Sequence, residues 1–303
     1  MPFIQKDLPQ YHYADDDGLI GLRGAMYYFQ NIHTWHLHSI DKGNDVLPQK
    51  YEAGWIYTRY HVVLTPKMDY RGELTLRAWM EPYRQPVLVN ENIEILQHGK
   101  IAACGKLECC VFSLARQRPL RLTAVDFPEN FAEDVPNDIP DFLGIEKTAD
   151  GTEERYIRTV RASDLDVNRH MNNLRYIEMF QDAYDSSFWR EFSPKEMEIC
   201  FMSQCREGEE ISVRSKITDG TVHFAALLCH YLHAGNSSNR CKSFTAEAQC
   251  KDIIKILLGA YLACRMTKKR LWHITKGHSA AVIGNAHICS SAVFYLHGYM
   301  SRP

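Results

Sequence analysis

The sequence predicts an α+β chain built from one unit used twice, a long helix followed by strands. Two observations carry that reading, and a third separates the copies. Apolar residues recur at helical spacing in two places, each time after an acidic start: Asp15-Asp-Asp-Gly18 before the first, Asp164 to Asn173 before the second. Downstream of each helix a turn glycine and an acid lead into alternating strand residues, Tyr70-Arg-Gly-Glu-Leu-Thr-Leu-Arg-Ala-Trp79 and Arg206-Glu-Gly-Glu-Glu-Ile-Ser-Val-Arg214. Between the copies, Asp126-Phe-Pro-Glu-Asn-Phe-Ala-Glu-Asp-Val-Pro-Asn-Asp-Ile-Pro140 is acidic and proline-rich and reads as a linker that continues as a polar connection to Glu154.

In the first helix the repeating apolar positions are Leu19, Leu22, Met26, Phe29, Ile32 and Leu37. His33 and His36 share a face at i and i+3, but no Asp or Glu nearby in sequence completes a metal set, so no metal site is expected. In the second helix Leu174, Ile177, Phe180 and Tyr184 repeat the pattern. Near the end, Asp252-Ile-Ile-Lys-Ile-Leu-Leu-Gly-Ala-Tyr-Leu-Ala-Cys264 is interrupted by Lys255 and falls short of the ~20 apolar residues that span a bilayer. It reads as a packed helix rather than an anchor, and the chain beyond it shows no coherent periodicity.

A chain of 303 residues, 45% hydrophobic and 24% charged, is long enough for about two ordinary domains, each with its own core. A formal net charge of −2 gives no electrostatic case for nucleic acid, although a local basic patch could still meet an acidic protein. Met1-Pro-Phe-Ile-Gln-Lys-Asp lacks the basic and apolar regions of a signal peptide, so the expected location is cytoplasmic. The ten cysteines form no C-x-x-C pair and read as reduced, mostly buried thiols.

The densest chemistry lies in Asp164-Leu-Asp-Val-Asn-Arg-His-Met-Asn-Asn173, where two carboxylates, an imidazole and three carboxamides precede the second helix. One such residue suffices to cap a helix; six in ten positions point to a site. In an extended lead-in, Asp166, Asn168 and His170 would project from one face. The amides at the start of the helix, near Met171 and Asn172, would face a polarised carbonyl or an oxyanion. An acid, an amide, an imidazole and an oxyanion site are the parts of a hydrolase. Only the second copy has them. Asn172, Asn173 and Tyr176 are expected to be structural, fixing the turn into the helix.

With Tyr176 added, this segment resembles the D-x-N-x-H-V-N-N-x-x-Y signature of acyl-acyl carrier protein (acyl-ACP) thioesterases, and the resemblance runs through Trp55-Ile-Tyr-Thr-Arg59 and over most of residues 1–249. It implies a tandem double hotdog, each half a long helix wrapped by an antiparallel sheet, with an N-terminal domain at 1–125, a linker at 126–154 and a catalytic domain at 155–250. Residues 251–303 lose the pattern. The implied activity is hydrolysis of fatty acyl-ACP to free fatty acid, without metal or organic cofactor. An acyl carrier protein bearing a fatty acyl chain is the implied partner, and the chain could form a homodimer.

In the plant members a Glu followed by Cys is common on the strand after the second helix, where this chain has Gln204 and Cys205. Glutamine can hold a water but cannot take its proton, so the base falls to Asp166 or His170. Cys205 offers a rival covalent route, ranked below direct attack by water. In the first helix Met26 and Phe29, with Ala25, Tyr27 and Trp35, are expected to line an acyl tunnel, against plain core packing. Three other activities fit the same resemblance: an acyl-CoA thioesterase, a hotdog hydratase or dehydratase, and a non-catalytic acyl-thioester sensor.

Overall fold

The computed structural model describes residues 1–65, 67–83, 86–145 and 148–229, together with the backbone of 259–268. In the first half β1 (Phe3–Asp7) precedes helix α1 (Leu22–His38), the short α2 (Leu47–Tyr51), and strands β2 (Ala53–Leu64), β3 (Leu74–Met80), β4 (Leu88–Gln97), β5 (Lys100–Ser113) and the two-residue β6 (Arg118–Pro119). The second half comprises β7 (Glu153–Thr159), α3 (Asn173–Asp182), α4 (Ser186–Glu191), β8 (Phe192–Phe201), β9 (Glu210–Thr218), β10 (Thr221–Cys229) and β11 (Gly259–Lys268).

All strands join one antiparallel sheet in the order β1-β3-β4-β5-β2-β8-β11-β10-β9-β7, with β6 added beside β5. The seam between the halves is the β2–β8 ladder, which runs only from Arg59 opposite Cys200 to Val63 opposite Glu196. This is the tandem hotdog arrangement expected from the sequence. Alternation does the sorting: Tyr60, Val62, Leu74, Leu76, Ala78, Ile93, Ile95, Met197 and Ile199 are buried in the same core as Met26, Phe29, Ile32, Ile177 and Phe180 of the two helices.

Gly105 shows how tightly α1 presses on the sheet. A Cβ there would lie 2.1 Å from the His61 carbonyl oxygen and 2.8 Å from Phe29 Cε2, so only glycine lets strand and helix approach this closely. The segment after Val125 runs along the opposite face of the sheet: Ala132 bridges Met80, Lys106 binds Asp141 at 2.8 Å, and Arg59 stacks on the Phe142 ring. A long irregular connection is kept in place by these contacts.

The end of the chain departs from expectation. Residues 259–264, read from sequence as part of a packed helix, lie in β11, which pairs with β8 on one side and β10 on the other. The segment after residue 250 thus supplies an interior strand. Residues 243–248, where the family resemblance implies a late strand, lie outside the described residues.

Candidate active site

Asn172 starts α3 in the way its residue type suggests, its side-chain oxygen accepting from the Leu174 N–H at 2.9 Å. The residues before it do not form the extended lead-in that spacing suggested. They close into a tight loop: the Asp166 N–H donates to the His170 carbonyl (2.8 Å), the Arg169 N–H to the Asp166 carbonyl (3.0 Å), and Leu165 bridges Met171. Arg169 adopts φ 61°, the left-handed conformation that non-glycine residues rarely take, and turns the chain back.

Asp166 organises this loop. Its Oδ1 accepts from the backbone N–H of Asn168 (2.8 Å) and of His170 (3.2 Å), an Asx-type arrangement that competes with strand geometry. Asn168 and His170 are therefore brought together by a turn around one carboxylate and not by pleating. Both are half-buried. The His170 Nδ1 is buried with no partner among the described residues. Burial, the larger effect, and the Arg206 charge lower its pKa against the opposing pull of Asp166 and Glu209. A neutral imidazole able to accept a proton results.

The two amides assigned to an oxyanion are already occupied. The Met171 N–H donates to the Cys205 carbonyl and the Asn172 N–H to the Asp164 carbonyl, both at 2.8 Å. Neither can serve a ligand without breaking a bond that holds the loop. With the Leu174 N–H taken by the cap, the first-turn amide without a partner among the described residues is that of Asn173.

The Met171–Cys205 bond also anchors the chain beyond β8. That strand ends at Phe201, so Gln204 and Cys205 lie past it in the loop clasped against the Asp166 turn. Gln204 is exposed and its side chain has no partner among the described residues, leaving it able to hold a water. Cys205 has the opposite character: it is fully buried, accepts the Tyr176 hydroxyl at 3.0 Å, and burial pushes its thiol up to about 11. A thiol of this kind is protonated and out of reach near neutral pH, which corrects its assignment as an alternative nucleophile. We expect Cys205→Ala to keep most of the turnover while losing roughly 0.5–3 kcal/mol of stability, read by parallel assays and thermal melts. An acyl adduct on Cys205 detected by mass spectrometry would contradict this.

Met26 and Phe29 are completely buried in the core and line no cavity among the described residues, so they pack as core side chains in this structure. Trp35, grouped with them from sequence, is 51% exposed and points away. Sequence reasoning missed Glu91: this fully buried carboxylate on β4 takes the Nδ1 atoms of both His33 and His36. Burial pushes the Glu91 carboxyl up, and the two imidazoles outweigh it, holding the group at about 2. No set of three ligating side chains suited to a metal occurs among the described residues. No helix there is long and apolar enough to cross a membrane.

The hotdog fold, with the family match that follows, indicates a thioester hydrolase. Residues 145–250 match the acyl-ACP thioesterase C-terminal domain. Among solved structures, an acyl-ACP thioesterase from Bacteroides thetaiotaomicron is 16% identical, with a TM-score of 0.68 over 88% of this chain and 98% of that one. A 12:0-ACP thioesterase from Umbellularia californica is 14% identical, with a TM-score of 0.66 over 88% of this chain and 98% of that one. At these identities the likeness establishes the shared fold. No curated protein sequence matches the chain significantly.

Proposed function

We propose that this chain hydrolyses the thioester of fatty acyl-acyl carrier protein by direct attack of water, releasing free fatty acid and ending chain elongation. The observation that carries the reading is the turn around Asp166, which presents Asn168 and a neutral His170 beside the Gln204 loop within the span that matches the family. His170 is the general base, Gln204 holds the attacking water, and the Asn168 carboxamide donates to the thioester carbonyl. Asp166 is a positioning residue. Because a thiolate leaves readily, stabilising the tetrahedral oxyanion is the main demand, and the unpaired Asn173 amide at the start of α3 is the backbone donor available for it.

Residues 155–250 carry the chemistry in this reading. Residues 1–125 are assigned the acyl chain, with Met26 and Phe29 as the side chains that must shift to admit it. An acyl-CoA thioesterase is the nearest competing reading. The same acyl group presented on carrier protein and on CoA distinguishes the two.

A further inference from the structure

Tyr27, grouped with the acyl-tunnel residues from sequence, sends its hydroxyl across the seam between the halves, where α1 and α3 touch. The hydroxyl donates to Oε1 of Glu178 on α3, and the Tyr13 ring, stacked on the Tyr27 ring at 4.6 Å, holds the side chain in place. Burial, with the Glu178 hydrogen bond adding to it, pushes the phenol up to about 12. It therefore stays protonated and remains a donor throughout the neutral range.

From Glu178 the contacts run on to the turn that carries His170. The other Glu178 carboxylate oxygen accepts from Arg175 Nη1 at 2.6 Å, and Arg175 Nη2 donates to the Ser163 carbonyl at 3.2 Å. Arg175 Nε stands 4.0 Å from Oδ1 of Asp164. Asp164 is the base of the turn: its carbonyl accepts the Asn172 N–H at 2.8 Å, and its Oδ2 accepts the Arg161 N–H at 2.9 Å and Arg158 Nη2 at 2.6 Å. Arg175 therefore ties the entry of the turn, at 163–164, to the helix that begins at its exit. On an exposed helix face an arginine and a glutamate three positions apart contribute little. Here both are half-buried, and the pair is joined at its two ends to other parts of the fold, by Tyr27 to the first half and by Ser163 and Asp164 to the turn.

We propose that Tyr27 and Arg175 are positioning residues for the reaction at His170: the first half of the chain, through Tyr27 and Glu178, fixes the Arg175 guanidinium that sets the entry of the Asp166 turn against the start of α3. The proposal rests on the reading of that turn as the reaction site. Both side chains act through the backbone of the turn and touch no reacting atom. What they fix is the way Asn168, His170 and the Asn173 amide face one another, and a displacement of about 1 Å in such a set can cost about a hundredfold in rate. The effect falls on kcat rather than on KM.

The test is steady-state kinetics of the full-length chain on an acyl-N-acetylcysteamine thioester, with melting curves and hydrogen–deuterium exchange of the segment 164–173 measured alongside. Tyr27→Phe, which removes one hydroxyl, should lower kcat at least about threefold while KM and the melting temperature stay close to the parent's. Arg175→Ala should lower kcat about tenfold or more, and Arg175→Lys, which keeps the charge, should recover part of the loss. The Y27F/R175A double variant should be no slower than Arg175→Ala alone, because the hydroxyl acts through the guanidinium. Amides of 164–173 should exchange faster in Tyr27→Phe and in Arg175→Ala than in the parent. A parent kcat in Tyr27→Phe beside an inactive His170→Ala, or losses that multiply in the double variant, would overturn this proposal and leave the catalytic reading standing. A parent kcat in His170→Ala would sink the catalytic reading and the proposal with it. Unchanged amide exchange in both variants would overturn the proposal whether or not the chain hydrolyses a thioester.

Discussion

His170→Ala and Asn168→Ala should each lower turnover on a fatty acyl-ACP by about a hundredfold or more, since proton transfer and oxyanion stabilisation each carry effects of roughly that size. Neither change should unfold the protein. Asp166 grips the backbone N–H groups of both residues, and these survive truncation of the side chains; the Asn168 side chain itself adds only a 3.5 Å contact to Asp166. Asp166→Ala differs because it removes the acceptor for both amides, so it should lose activity together with loop order. A pH profile adds a check with a definite sign. The His170 pKa is lowered below its ordinary 6.5, chiefly by burial, so the base stays neutral and the rate stays level as the pH falls from 7 toward 6.5. The rate falls only once acid protonates the ring, below pH 6.5. Well-folded His170 or Asn168 variants that retain more than about a third of the parent rate would remove the residue concerned from the mechanism.

A chain ending at Cys250 should fail to fold. It lacks β11, a ten-residue strand with neighbours on both sides. Ladder hydrogen bonds are worth ~1 kcal/mol net apiece, so the loss from two ladders is comparable with the ~5–15 kcal/mol that holds an ordinary domain together. Without β11 the edges of β8 and β10 are laid bare, and bare edges pair with other chains. The expected result is a shortened protein that aggregates or melts without a cooperative transition, while the full chain melts cooperatively. A soluble short form with the parent's melting temperature and turnover would show that β11 is dispensable.

Local signals carried much of the fold, and long-range contacts carried what the sequence concealed. Helix α3 was legible from its periodicity and from Asn172 at its start, which caps as that residue type does. The lead-in was misread because alternation at i, i+2 and i+4 is common to a strand and to a turn that closes on the first residue; only the bonds from Asp166 to the amides of Asn168 and His170 decide between them. Arg169 gave no sign, since a left-handed arginine is not marked in a sequence as a glycine is.

The occupied amides of Met171 and Asn172 follow from partners at Cys205 and Asp164, and the first of these lies 34 positions away from Met171 in sequence. Glu91 stands 58 positions from His33, so the histidine pair looked incomplete. A short apolar run such as 252–264 fits a buried helix or an interior strand equally well, and for residues 259–264 only the pairing with β8 and β10 resolves it.

The most direct test of the central claim is release of free fatty acid by the purified full-length chain from one acyl group carried in turn by acyl carrier protein and by CoA. The account predicts catalysed release from the carrier-protein thioester, abolished by His170→Ala, with kcat/KM above that for acyl-CoA. Release no faster than in buffer, or a parent rate that His170→Ala leaves unchanged, would contradict it.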